Sequence, residues 1–149
     1  MAERYFKLDE AQELLPVIGS YLEQAREQKV KVDGLNEELA HAAARIMVMG
    51  GSIPAHTELS KKKIERDEFA SRIREVVSKI LDTGCLVKDL DEGLVDFPSL
   101  MNGEEVYLCW KLGEERIGFW HGLQEGFAGR KPLDEGPSDD PPPRRSQVQ

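Results

Sequence analysis

Apolar residues in the N-terminal half recur every three or four positions. Ile18, Leu22, Ala25, Val32, Leu39, Ala43 and Ile46 trace one stripe close to a heptad pattern, interrupted at Lys29 and Asn36 and partly restored by Leu35. That period predicts a long helix. Asp9 and Gln12 form a plausible N-cap pair, with Leu8 as the staple residue before them. Pro16 removes one backbone donor and predicts a kink in the first turns. Gly50-Gly51-Ser52-Ile53-Pro54 breaks the pattern. The helical period resumes over 58–82 through Leu59, Phe69, Ile73, Val76, Val77 and Ile80, and Gly84 stands where a left-handed C-cap belongs. The prediction is an antiparallel helical hairpin over residues 9–82. A helix from 10 to 49 would be about 60 Å long, more than the shorter second arm can cover. The uncovered coiled-coil-like stripe predicts a homodimer formed through the hairpin.

At Cys85 the period changes from 3.6 to 2, which predicts strands over 85–90, 94–100, 104–112 and 116–121. Asn102-Gly103 is a strong hairpin signal because both residues tolerate positive φ. Gly113-Glu114 is read as a second two-residue turn. With those turns, Phe97, Leu108 and Phe119 align across three strands, as do Val95, Trp110 and Ile117, and Ser99, Val106 and His121. Asp96, Cys109 and Gly118, beside Pro98, Tyr107 and Trp120, then occupy the other face, so His121 and Cys109 point to opposite sides. A one-residue slip would invert this assignment. The fold class is therefore α+β: a helical hairpin, then a small antiparallel meander over 85–121. A C-terminal motif over 122–133 closes a single domain of residues 1–133. Residues 134–149, rich in Pro, Asp and Ser, lack the apolar surface to offset ordering and are expected to be disordered.

Charge narrows the partners. The chain has 149 residues and a net charge of −8. Residues 85–130 carry nine acidic groups against four basic ones, and Lys61-Lys62-Lys63 is ringed by Glu58, Glu65, Asp67 and Glu68. Nucleic-acid binding requires a clustered basic surface, so neither nucleic acid nor an anionic membrane is expected. No apolar run reaches the roughly 20 residues of a bilayer helix, and the first residues, MAERYFKLDE, lack the apolar stretch expected of a secretory signal. Two cysteines make no disulfide framework, and a cytoplasmic protein with free thiols is expected.

Candidate chemistry gathers in the β region. Asp89, Asp91, Asp96, Cys109, Trp120 and Arg130 are candidate ligand-binding residues, because aromatic walls with a few convergent polar groups are the usual make-up of a small pocket. His121 and Glu125 are four apart and are the candidate metal pair, although Gly122 and Gly126 argue against a helix there. His121 with Cys109 and one of the three aspartates would suit a divalent transition metal, but the spacing matches no zinc motif. Asp91-Glu92-Gly93 is equally what a turn requires. No phosphate loop, nucleotide fingerprint or nucleophile elbow occurs, so no cofactor is predicted beyond that metal.

KDLDEGLVDFP (88–98), VYLCWKLGE (106–114) and FWHGLQEGFAGRKPL (119–133), following YFKLDEAQELLP (5–16), resemble the bacterial family of domain of unknown function 2203. The resemblance implies a small cytosolic bacterial protein and brings no activity, substrate or catalytic residue. The family pattern places acidic residues one and three positions after the histidine; here those positions are Gly122 and Gln124, and the acid is Glu125. Two readings stay open. The favoured one is a non-enzymatic binding or interaction protein that dimerises through its hairpin and carries a small pocket. The alternative is a metal-binding protein, or a metal-dependent or acid–base enzyme, using His121 with nearby carboxylates.

Overall fold

A computed structural model describes residues 4–133. The expected disordered tail, 134–149, lies outside the described residues. The order is α1 (Leu8–Met49), α2 (Ile53–Asp82), β1 (Leu86–Asp89), β2 (Leu94–Met101), β3 (Glu104–Lys111), β4 (Phe119–Gly122), a short 3-10 turn (Phe127–Gly129) and β5 (Lys131–Pro132). The hairpin and the antiparallel meander are as the hydrophobic periods predict.

Local chemistry fixes the helix ends. At the start of α1 the Glu10 carboxylate accepts the Lys7 amide at 2.9 Å, which makes Lys7 and Glu10 the capping pair in place of Asp9 and Gln12. The Gln12 side chain is used elsewhere: its Oε1 accepts the amide of Ile117 at 2.9 Å. Helix α1 continues through Pro16. Helix α2 begins five residues before the predicted period resumes. Ser52 Oγ caps it by accepting the Ala55 amide at 3.2 Å, and Pro54 falls in the first turn, where no donor is required. Gly84 ends α2 with φ of +107°, as a left-handed cap demands.

The described residues form two compact units: 4–22 with 78–133, and 23–77. In the unit 23–77, Ala25, Leu35 and Leu39 are buried, while Leu59, Phe69, Ile73, Val76 and Val77 of α2 are half-buried. Lys62 reaches Glu38 at 2.7 Å and Arg66 reaches Asn36 at 3.0 Å, an antiparallel pairing of the two helices. In the other unit, one face of the sheet (Val95, Phe97, Val106, Leu108, Trp110, Trp120) packs with Phe6, Ile18, Leu22 and Ile80 into the hydrophobic core. Phe6 meets Phe97 edge-on, with ring centroids 5.3 Å apart.

The sheet order is β1-β2-β3-β4-β5, each neighbour antiparallel. Strands β2 and β3 pair in the predicted register, with Val95 opposite Trp110, Asp96 opposite Cys109 and Phe97 opposite Leu108. Asn102 (φ +53°) and Gly103 (φ +83°) make the turn. The pairing of β3 with β4 is shifted by one residue from the prediction: Tyr107 faces His121, Leu108 faces Trp120 and Cys109 faces Phe119. The cause is the connection. The chain turns at Gly113-Glu114, where the Glu114 amide reaches the Lys111 carbonyl at 3.0 Å, but does not re-enter the sheet there. Ile117 is drawn to Gln12 of α1, and β4 starts only at Phe119. The slip carries Trp120 into the core and His121 to the face of Asp96 and Cys109.

Gln12→Ala should therefore act on the sheet rather than on the helix cap. It strands a part-buried amide, at a cost of about 1–3 kcal/mol. Urea unfolding should show that loss, and Gln12→Glu, which keeps an acceptor, should recover most of it.

Candidate metal centre

Strand pairing assembles the site. Asp96 on β2 and Cys109 on β3 are direct partners, and His121 on β4 lies two residues beyond Phe119, the partner of Cys109. On a pleated sheet these three side chains share a face. Their donor atoms all lie within 4.8 Å of one another, and no described residue of the trio is more than 2% exposed. His121 Nε2 stands 3.1 Å from Asp96 Oδ1, and Nδ1 stands 2.8 Å from the Gly122 carbonyl. The Cys109 thiol lies within 4.8 Å of the His121 and Asp96 donor atoms.

The tautomer follows. A carbonyl only accepts, so Nδ1 carries a proton and donates it to Gly122. Nε2 then faces an acceptor-only carboxylate, and the space between them needs a proton or a cation. With a proton there, burial opposes the imidazolium. Hydrogen bonds to Asp96, Cys109 and the Gly122 carbonyl, with the Asp96 charge, outweigh that opposition and push His121 up to about 10. With a metal there, the same contacts are ligands and their support. Metal-bound histidine usually donates its other nitrogen to a carbonyl or carboxylate, as Nδ1 does here. Donors about 2.0 Å from a tetrahedral ion stand about 3.3 Å apart, close to the observed 3.1 Å.

One atom is left over. Asp96 Oδ2 is buried and has no hydrogen-bond partner, a state that costs about 1–3 kcal/mol in a side chain kept only for packing. Arg130 Nε is the other such atom beside Cys109. The Arg130 guanidinium lies between the rings of Phe119 (4.0 Å) and Phe127 (4.5 Å). Its Nη2 donates to Glu114 Oε1 at 2.9 Å and to the Cys109 carbonyl at 3.4 Å. Burial opposes its charge, but Glu114 and Cys109 hold the group above the usual arginine range.

The remaining sequence candidates stand elsewhere. Asp89 is exposed, and its Oδ1 accepts the Glu92 amide at 3.0 Å in the β1–β2 turn. Asp91 is exposed in the same turn. Trp120 belongs to the hydrophobic core. Glu125 is exposed and stands outside the trio. Its Oε1 takes the Lys131 ammonium and the Gly122 amide, which hold its carboxyl below the usual range. Cys85 is in the core, where burial pushes its thiol up. Both thiols are free and buried, so the folded chain should react slowly with iodoacetamide at neutral pH and both cysteines should label at once in urea.

Among the described residues no helix is long and apolar enough to cross a membrane. The family model described as an uncharacterized conserved protein (DUF2203) matches residues 4–133. No curated protein and no solved structure matches the chain.

Proposed function

The chain belongs to the DUF2203 family of uncharacterized conserved proteins, and from its buried polar trio we propose that it is a non-enzymatic binding protein for one divalent transition-metal ion, held by Asp96, Cys109 and His121. The observation that carries this reading is the unpartnered Asp96 Oδ2 among three ligand-type side chains whose donor atoms lie within 4.8 Å. A thiolate, an imidazole and a carboxylate suit zinc or a similar borderline-soft ion rather than magnesium or calcium. Burial of all three donors favours holding an ion over turning over a substrate. Elemental analysis of tag-free protein should find one such ion per chain, and Asp96→Asn or Cys109→Ser should remove it. Protein that emerges metal-free from zinc-supplemented growth, and takes up none on titration, would refute the reading.

The hairpin supports a second reading, a homodimer. In the unit 23–77, Val30, Met47, Val48, Met49, Ile53 and Ile64 are exposed, and no α2 residue of that unit is buried. Residues 39–64 carry four basic groups against one acidic, whereas 23–38 and 65–77 together carry nine acidic against six basic. Each hairpin thus has a tip of +3 and a base of −3, and two copies laid tip to base would match charge while covering the apolar positions. Sedimentation equilibrium should report twice the 16.8 kDa chain mass at micromolar concentration, and Val30→Glu with Ile64→Glu should give the monomer. A monomer for the unaltered chain would overturn it.

A further inference from the structure

We infer that the metal centre is completed by a small exogenous oxyanion, a carboxylate or phosphate oxygen on the ion with a second contact to the Arg130 guanidinium. This rests on the metal reading above and deepens it. Three protein donors leave one position open on a tetrahedral ion, the ligand count of sites that admit an outside group. With an ionised Asp96, a thiolate at Cys109 and neutral His121, a divalent ion is fully neutralised by its protein ligands. An incoming anion therefore needs a further donor, and Arg130, whose charge Glu114 already meets at Nη2, offers one in its buried Nε–H.

Arg130 is placed for that task. The Cys109 thiol lies within 4.8 Å of the His121 donor nitrogen, and the Arg130 guanidinium reaches the carbonyl of the same Cys109 at 3.4 Å. Glu114 and the Cys109 carbonyl occupy Nη2, while Nε is buried and donates to nothing. Arginine receives oxyanions through paired N–H donors in a fixed plane. Here Phe119 and Phe127 lie against that plane at 4.0 and 4.5 Å and hold its orientation before any anion arrives. Phe127 itself is exposed, and residues 123–128 are exposed around it, so the guanidinium lies next to solvent-facing chain. The unused Nε donor is thus the contact that the second oxygen of such an anion would take.

Cobalt(II)-loaded full-length protein tests this. A thiolate-to-cobalt absorption band reports the ion on Cys109, and the ligand-field bands report its fourth ligand. Acetate and inorganic phosphate, titrated separately at constant ionic strength, should shift the ligand-field bands saturably, and the tighter of the two identifies the source. Arg130→Lys and Arg130→Gln should each weaken that anion by about tenfold or more while leaving the thiolate band intact. As a check that needs no variant, the bound cobalt should broaden the phosphorus resonance of phosphate, or the methyl resonance of acetate, in the unaltered protein. A thiolate band with no anion-dependent shift and no broadening would overturn the inference, as would an unchanged anion affinity in both Arg130 variants. No thiolate band at all would instead overturn the metal reading on which it rests.

Discussion

Asp96→Ala in chelator-treated protein is expected to lower the unfolding free energy by about 3–5 kcal/mol, the usual cost of removing one partner from a buried charged pair. Asp96 and His121 are each at most 2% exposed and stand 3.1 Å apart, so the carboxylate is the partner of a buried ring. Losing it leaves an imidazole that must either give up its charge or keep it buried and unmatched. Asp96→Asn keeps the volume and one acceptor and should cost less. Adding zinc separates the two roles of the residue: the unaltered protein should gain about 2.7 kcal/mol at a hundredfold excess over Kd, and both variants should gain nothing comparable. A urea midpoint for Asp96→Ala within about 1 kcal/mol of the unaltered chain, at equal m-value, would mean that the pair does not form.

Phe97→Ala, one residue along the same strand, should cost as much for a different reason. Its side chain points to the opposite face of β2, is fully buried, and meets Phe6 edge-on at 5.3 Å. Truncation loses the transfer energy of the ring and leaves a cavity in a close-packed core, about 3–5 kcal/mol together. Asp96, Cys109 and His121 are on the other side of the sheet and keep their places. Phe97→Ala should therefore melt early yet bind its ion at full stoichiometry under conditions where it is folded, whereas Asp96→Asn should remain folded and bind none. If Phe97→Ala also lost the ion while folded, the two faces of the sheet would not be independent.

The hairpin and the register of β2 on β3 were legible because each depends on local signals: three/four spacing, breakers at 50–54, and two residues at 102–103 that accept positive φ. Asp96 opposite Cys109 followed from that turn alone. His121 was named as the candidate ligand but placed on the wrong face. The offset of β4 depends on a contact between Ile117 and Gln12, 105 residues apart, and no local pattern encodes it. The same contact removed Gln12 from the helix cap where its spacing had put it. Arg130 was legible as a candidate ligand-binding residue, but not its neighbours. Its place beside Cys109 depends on the Glu114 ion pair and on two phenyl rings, one of which lies across the slipped strand. Carboxylates at 89 and 91 attracted attention by composition, and the turn they occupy accounts for them.

The most direct test of the central claim is X-ray absorption at the zinc edge of protein loaded with one equivalent of zinc. A site built from Asp96, Cys109 and His121 predicts one sulfur at about 2.3 Å and nitrogen or oxygen neighbours at about 2.0–2.1 Å, with the imidazole signature of a single histidine. Cys109→Ser should remove the sulfur shell. A shell of oxygen and nitrogen alone in the unaltered protein, or zinc that washes away before measurement, would contradict a metal centre on this sheet.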